Sequence, residues 1–275
     1  MKIKKYISFA ALFLLMVACA TNPFTGKKTL AFVSNDQLFP SSFAQYNQVL
    51  SENKVINSGS EAEMIRRVGQ RIAVASERWL NANGYQGYLN DYKWEYTLID
   101  SDQVNAWCMP GGKIAFYTGI LPIAENETGI AAIMGHEVAH ALANHGQQRM
   151  SAAYLQQGIA LAGNIALAND AKSRNIFNQS YGIGSTVLGT LPFSRSHETQ
   201  ADEIGLRLMA IAGYNPSEAS ELWKRMKAKS NGQAPPEFLS THPSNDTRIN
   251  NLKKWAPAAR AEAEKFGVTS FRPIN

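Results

Sequence analysis

A chain of 275 residues, 45% of them hydrophobic, can bury a sizeable core, which excludes a disordered or fibrous protein. Its formal charge of +5 comes from 27 Lys and Arg against 22 Asp and Glu, and Lys2, Lys4 and Lys5 supply three of those positives. From Cys19 onward the balance is 24 against 22, which gives no ground for a nucleic-acid partner.

Residues 1–18 read as a targeting segment. The lysines are followed by Ile7 to Val17, apolar except for Ser8, and this run falls short of the roughly 20 residues that span a bilayer. Met16-Val17-Ala18-Cys19 resembles a bacterial lipobox, which predicts cleavage before Cys19 and acylation of that residue; an ordinary signal peptide with an incidental cysteine is the alternative. Ala20, in place of aspartate, points to the outer membrane if the source is a diderm bacterium. With Cys19 acylated, Cys108 is the only thiol left, so no intramolecular disulfide can form. Its apolar neighbours predict a small buried hydrophobe.

Residues 19–59 are polar and mixed, with a turn at Asn22-Pro23-Phe24-Thr25-Gly26-Lys27, and are expected to form a tether that partly packs on a catalytic domain spanning 60–275. Ser60 to Glu63 has the pattern of a capping box, and Ile65, Val68, Ile72 and Ala75 follow at helical spacing. Trp94 to Asp100 and Lys113 to Gly119 read as strands, and the Asn105 to Gly112 segment between them carries a Pro-Gly-Gly turn signal. Such a sheet either supports the core alone or offers an edge to an extended peptide. Ser151 to Asn169 is expected as a core helix, with membrane contact the alternative. Lys172 to Leu191, with Gly182, Gly184 and Gly189, suggests a flexible cover. A helix from Ser194 ends at Gly213, another follows Pro216 to about Ala228, Gly232 to Pro236 is a loop, and a last helix starts near Asp246.

The chemistry concentrates at Gly135-His136-Glu137-Val138-Ala139-His140, in an apolar run opened by Asn126 or Glu127. Four residues at 100° each return almost to the starting azimuth, so His136 and His140 share one helix face and can bind one metal ion. Glu137 lies about 100° away, placed to take a proton from water without being a ligand itself. A catalytic zinc needs a third protein ligand. His145 lies about 140° round from His140 and faces elsewhere. Glu198 is the stronger candidate because Asp202 stands one turn on and can hold a ligand histidine by its second nitrogen. Two acids on a solvated helix face are the alternative.

His136-Glu137-xx-His140, the Asn105 to Gly112 segment, Ser194-Arg195-xx-Glu198-x-Gln200-Ala201-Asp202-xx-Gly205, Ala212 to Pro216 and Thr241-His242-Pro243 together resemble the M48 family of zinc metallopeptidases. They are most similar to its bacterial periplasmic lipoprotein members of the Oma1/Loi/Bep type, and the sequence shows none of the tetratricopeptide repeats that some relatives carry. The resemblance implies an α+β, mainly helical, gluzincin-like (zincin) domain with a small β-sheet beside the HExxH helix. It implies one Zn2+ held by His136, His140 and Glu198, with Glu137 as general base and Asp202 behind the ligands. Asn105, Ala106, Gly111 and Gly112 would border the substrate cleft. His197 is expected on a cleft wall or the surface. His242 has three possible roles: a fourth ligand, an oxyanion donor, or a structural loop residue.

The expected function is peptide-bond hydrolysis on misfolded or unassembled envelope proteins, at the periplasmic face of the outer membrane, without a covalent intermediate. A chaperone or assembly factor with a latent site is the competing reading, and a deformylase using Cys108 as ligand is a third. The oligomeric state is not legible.

Overall fold

A computed structural model describes residues 19–184, 191–229, 237–243 and 245–272. The chain divides into two compact units, one made of the chain up to Leu38 with Asn144–His197, the other of Phe39–Ala143 with Glu198–Asn275.

The larger unit holds a four-stranded sheet in the order β3-β4-β6-β5: β3 is Val55–Ile56, β4 Glu95–Ile99, β5 Ala106–Met109 and β6 Lys113–Tyr117. β4 and β6 run parallel with Glu95 opposite Lys113, while β5 returns antiparallel to β6 with Ala106 opposite Phe116. The Pro-Gly-Gly signal of the Asn105 to Gly112 segment does make a turn, at the segment's end. Gly111 and Gly112 take φ of +85° and +89°, where glycine alone is unstrained, and their carbonyls accept from Lys93 and Glu95. Ala106–Met109 form the edge strand.

Helix α1 (Asn35–Glu52) lies in the stretch expected to be a tether, and its Phe39 and Tyr46 are buried. The Tyr46 hydroxyl meets Thr97 Oγ1 of β4 at 2.5 Å. Helix α2 (Ser60–Ala82) buries Ile65, Val68, Ile72 and Ala75, the expected stripe. Its start differs from the capping-box reading, because Gly59 is the cap residue and no side chain closes it. After α3 (Leu121–Ala124) comes α4 (Glu127–Leu142), packed against α2 and β5. The Asn126 side chain caps α4 by accepting from the Gly129 N–H at 2.9 Å.

In the smaller unit, β1 (Cys19–Thr21) pairs with β2 (Lys28–Leu30), and β2 packs on α5 (His145–Ala166), which also packs against α6 (Ala171–Gly184). The segment expected as a flexible cover is thus helical up to Gly184; its remainder, with Gly189, and the Gly232 to Pro236 loop lie outside the described residues. α7 (Leu191–Ile211) carries Glu198 and Asp202, and α8 (Glu218–Lys229), α9 (Glu237–Thr241) and α10 (Asp246–Lys265) complete the chain.

Candidate metal centre

Every residue of α4 from Thr128 to Leu142 is buried, so His136, Glu137 and His140 sit where water cannot satisfy them and partners must come from the protein. α7 brings two. Gly135 of α4 and Gly205 of α7 meet backbone to backbone: a Cβ on Gly205 would lie 2.8 Å from the His136 nitrogen, and one on Gly135 would lie 2.8 Å from the Gly205 oxygen. That approach needs two glycines, and it sets Glu198 and Asp202 over the histidine face.

Glu198 Oε2 lies 3.4 Å from His136 Nε2, and Glu198 Oε1 lies 3.2 Å from His140 Nε2. The two Nε2 atoms are 3.2 Å apart. His242, just past α9, adds Nδ1 at 2.9 Å from Glu198 Oε2 and 3.2 Å from His136 Nε2. Donors about 2.0–2.1 Å from a tetrahedral zinc ion stand about 3.3 Å from one another. The residues present therefore fit a metal ion: three imidazole nitrogens and one carboxylate oxygen, all within 4.8 Å of one another, have the spacing of one coordination shell.

The electrostatics favour a cation at the centre. Burial pushes His140 down to about 3, so its ring stays neutral with a lone pair to donate. Burial and the Arg248 charge push His136 down as well, but the carboxylates of Asp202 and Glu198 overcome both and raise it to about 9. Burial opposes ionisation of Glu198, yet the three imidazoles hold its carboxyl far below the usual range.

Asp202 Oδ1 stands 3.0 Å from His136 Nδ1, as expected of a carboxylate that fixes a ligand histidine. Its other partner was not legible in the sequence. Arg248 of α10 donates to Asp202 through Nε at 2.7 Å and Nη2 at 2.6 Å, and its Nη1 is 3.2 Å from Glu198. The guanidinium lies 3.4 Å over the Trp223 ring. Only one sequence signal pointed to it: an arginine in the first turn of a helix opposes the helix dipole and needs a tertiary partner.

Glu137 is buried, and its Oε1 accepts no hydrogen bond from any described residue; His242 Nε2 stands 3.5 Å from it. An orphaned buried carboxylate oxygen beside a donor cluster is placed to accept a proton from a reacting water.

Cys108 lies outside the cluster; burial, with a lesser push from Glu137, raises its thiol well above the ordinary value. Its side chain is half-buried rather than fully buried, and its place outside the donor cluster removes the ground for a Cys108-ligated deformylase. His197 is buried rather than on a surface: in the smaller unit its ring stacks on His145 at 4.0 Å, and its Nε2 is 3.1 Å from Gln148 Oε1.

The sequence pattern that defines peptidase family M48 matches residues 61–256. The chain belongs to that family. Its M48 region runs from the first turn of α2 into α10 and so contains every residue of the donor cluster. The chain is 33% identical over 249 residues to the mitochondrial metalloendopeptidase OMA1 of Schizosaccharomyces pombe, covering 88% of this chain and 68% of the relative. It is 34% identical over 195 residues to OMA1 of Saccharomyces cerevisiae, covering 66% of this chain and 53% of that one. With the beta-barrel assembly-enhancing protease of Escherichia coli it shares 24% identity over 190 residues, 66% of this chain and 39% of the relative. The chain therefore carries the catalytic domain of a metallopeptidase and spans only part of each of these relatives.

Proposed function

We propose that the chain is a zinc-dependent endopeptidase, held by acylated Cys19 at the periplasmic face of an outer membrane, that cleaves misfolded or unassembled envelope proteins. The observation that carries the catalytic part is the donor cluster of His136, His140, Glu198 and His242 with the unpartnered Glu137 oxygen beside it. Zinc, when bound, supplies Lewis-acid polarisation of a carbonyl and acidifies water. Glu137 takes the proton from the attacking water on Oε1 and delivers it to the departing amine, so no covalent bond to the enzyme forms. Asp202, clamped by Arg248, holds His136 with Nδ1 turned from the metal side.

β5 serves as the substrate strand. Asn105 accepts from the Tyr117 N–H at 3.1 Å, so by the two-residue alternation Ala106 and Cys108 turn their backbone groups to the open edge, where the Ala106 N–H donates to Asn105 Oδ1 at 2.9 Å and the Ala106 C=O and the Cys108 N–H and C=O face a substrate. A substrate pairing there lies beside α4, against which β5 packs. Gly111 and Gly112 shape the turn that ends this strand.

A chaperone reading rests on His242, because a fourth protein donor closes the site at rest and leaves binding as the dominant activity. Glu137→Gln separates the two. It should bind zinc as the native chain does and lose cleavage of an unfolded substrate, and envelope proteomics should recover uncut proteins bound to it. Retained cleavage by this variant overturns the peptidase mechanism. Unchanged protein fragments between native and Glu137→Gln cells, with binding intact, favour the chaperone.

A further inference from the structure

The helix expected to join the core does not. In α5 the side chains of Tyr154, Leu155, Ile159, Leu161 and Ile165 are exposed, Leu161 at 63% and Ile165 at 67%. At 100° per residue they fall on one arc of about 160°, and the other side of the helix meets α6 through Asn164 to Asn178 and Gly163 to Phe177. Phe32, itself 37% exposed, extends the strip: its N–H donates to Ser151 Oγ at 3.0 Å, and it lines one groove with Tyr154 and Ile159. A contiguous apolar strip of this size marks an interaction surface.

Two independent observations name the occupant. Cys19, exposed and the first of the described residues, pairs with Leu30, two residues before Phe32, so whatever is attached to Cys19 leaves the protein at the edge of the strip. The charge of the same unit is also one-sided. From Cys19 on it carries Lys27, Lys28, Arg149, Lys172, Arg174 and Arg195 against Asp36 and Asp170, a formal +4, while the larger unit carries 18 basic and 20 acidic residues, a formal −2. An apolar helix face in a basic setting is the signature of a helix lying in a lipid interface. No helix among the described residues is long and apolar enough to cross a membrane, which fits lying on a bilayer rather than spanning it.

We propose that the exposed face of α5, together with Phe32, is a membrane-contact surface that rests in the headgroup region of an anionic bilayer. The placement beside a lipid rests on the reading of Cys19 as acylated. Acyl chains on Cys19 hold the protein at the bilayer but leave its orientation free, and a second contact converts the tether into a fixed orientation.

The test uses the full acylated chain in a Cys108→Ala background, bound to phosphatidylethanolamine–phosphatidylglycerol vesicles. A nitroxide is attached at Leu161→Cys, Ile165→Cys or, on the opposite side of α5, Ala153→Cys. At 161 and 165, vesicles should raise collisions with oxygen and cut collisions with a water-soluble nickel chelate by about tenfold, with the label at 153 staying in water. Replacing phosphatidylglycerol by phosphatidylcholine should reduce the effect. Labels at 161 and 165 that stay nickel-accessible on vesicle-bound, acylated protein overturn the inference. So does immobilisation at those sites without lipid, whether by a second copy or by carboxymethylated casein, since the strip is then a protein-binding surface. Mass spectrometry of Cys19 separates the two readings: an unacylated chain whose 161 and 165 labels still enter lipid keeps this inference and removes the anchor.

Discussion

Replacing Gly205 by alanine tests whether the meeting of α4 and α7 sets the metal geometry. The new Cβ would stand 2.8 Å from the His136 nitrogen and 2.9 Å from the Gly135 carbonyl carbon, both backbone atoms of a buried helix. Restoring a contact of about 3.5 Å parts the helices by about 0.7 Å. Metal–ligand distances tolerate only about 0.2 Å, so Glu198 and Asp202 can no longer both hold their places. Zinc affinity should fall about 10- to 100-fold, the loss typical when the groups orienting a ligand are disturbed. Overpacking should cost about 1–3 kcal/mol, offset by about 1 kcal/mol from the better helix propensity of alanine. Gly158→Ala is the control, because a Cβ there meets nothing within 4 Å and only the propensity gain remains. Chelator competition and urea melts of both variants give the comparison. A Gly205→Ala chain with native zinc affinity, stabilised as much as Gly158→Ala, would refute the reasoning.

Glu198→Ala should lose the metal, and Asp202→Asn should keep it with about 10- to 100-fold weaker affinity; a full zinc complement in Glu198→Ala would remove that residue from the ligand set. A peptide substrate N-methylated at an amide that pairs with a β5 carbonyl should show a KM raised roughly fivefold at constant kcat, and an unchanged KM at every methylated position would remove β5 as the substrate strand. Glu127 accepts from Tyr214 at 2.8 Å and pairs with Arg67 at 2.7 Å; burial opposes its ionisation, but these partners hold its carboxyl below the usual glutamate range. A depressed folded value contributes stability above the unfolded value and loses it as pH falls through the folded one. Glu127→Gln should therefore cost about 1 kcal/mol at pH 7, with native and variant melts converging as pH falls below the usual glutamate range.

What the sequence disclosed follows from the range of the interactions involved. The α2 stripe, the Asn126 cap and the HExxH face are periodic or local, and each was legible. Glu198 and Asp202 were legible because two acids one turn apart gain meaning once a metal helix is known. Arg248 was hidden because its partners lie on another helix, and charge alone does not distinguish a clamp from a solvated arginine. α1 was hidden because Pro40 and scattered polar residues blur its pattern, although Tyr46 anchors it in the core. For α5 the periodicity identified an apolar face but not what covers it, since a core face and a lipid-facing one have the same spacing.

His242 decides whether the site is open at rest. Its main-chain N–H donates to Phe238 O at 2.8 Å, and its ring packs 4.8 Å from the Phe238 ring, so two contacts fix the imidazole with Nδ1 among the donors. Nε2 then faces Glu137. If His242 acts as a fourth donor, its ring takes the place water needs and stands beside the general base, and the resting site is then shut. Removing it should open the site: His242→Ala is expected to raise basal cleavage of an unfolded substrate while weakening zinc binding, because one of four donors is gone. If His242 instead stabilises the transition state, the same change lowers kcat about 100-fold or more with zinc retained. Zinc affinity and kcat measured on one preparation separate the two, since the closing role moves them in opposite directions.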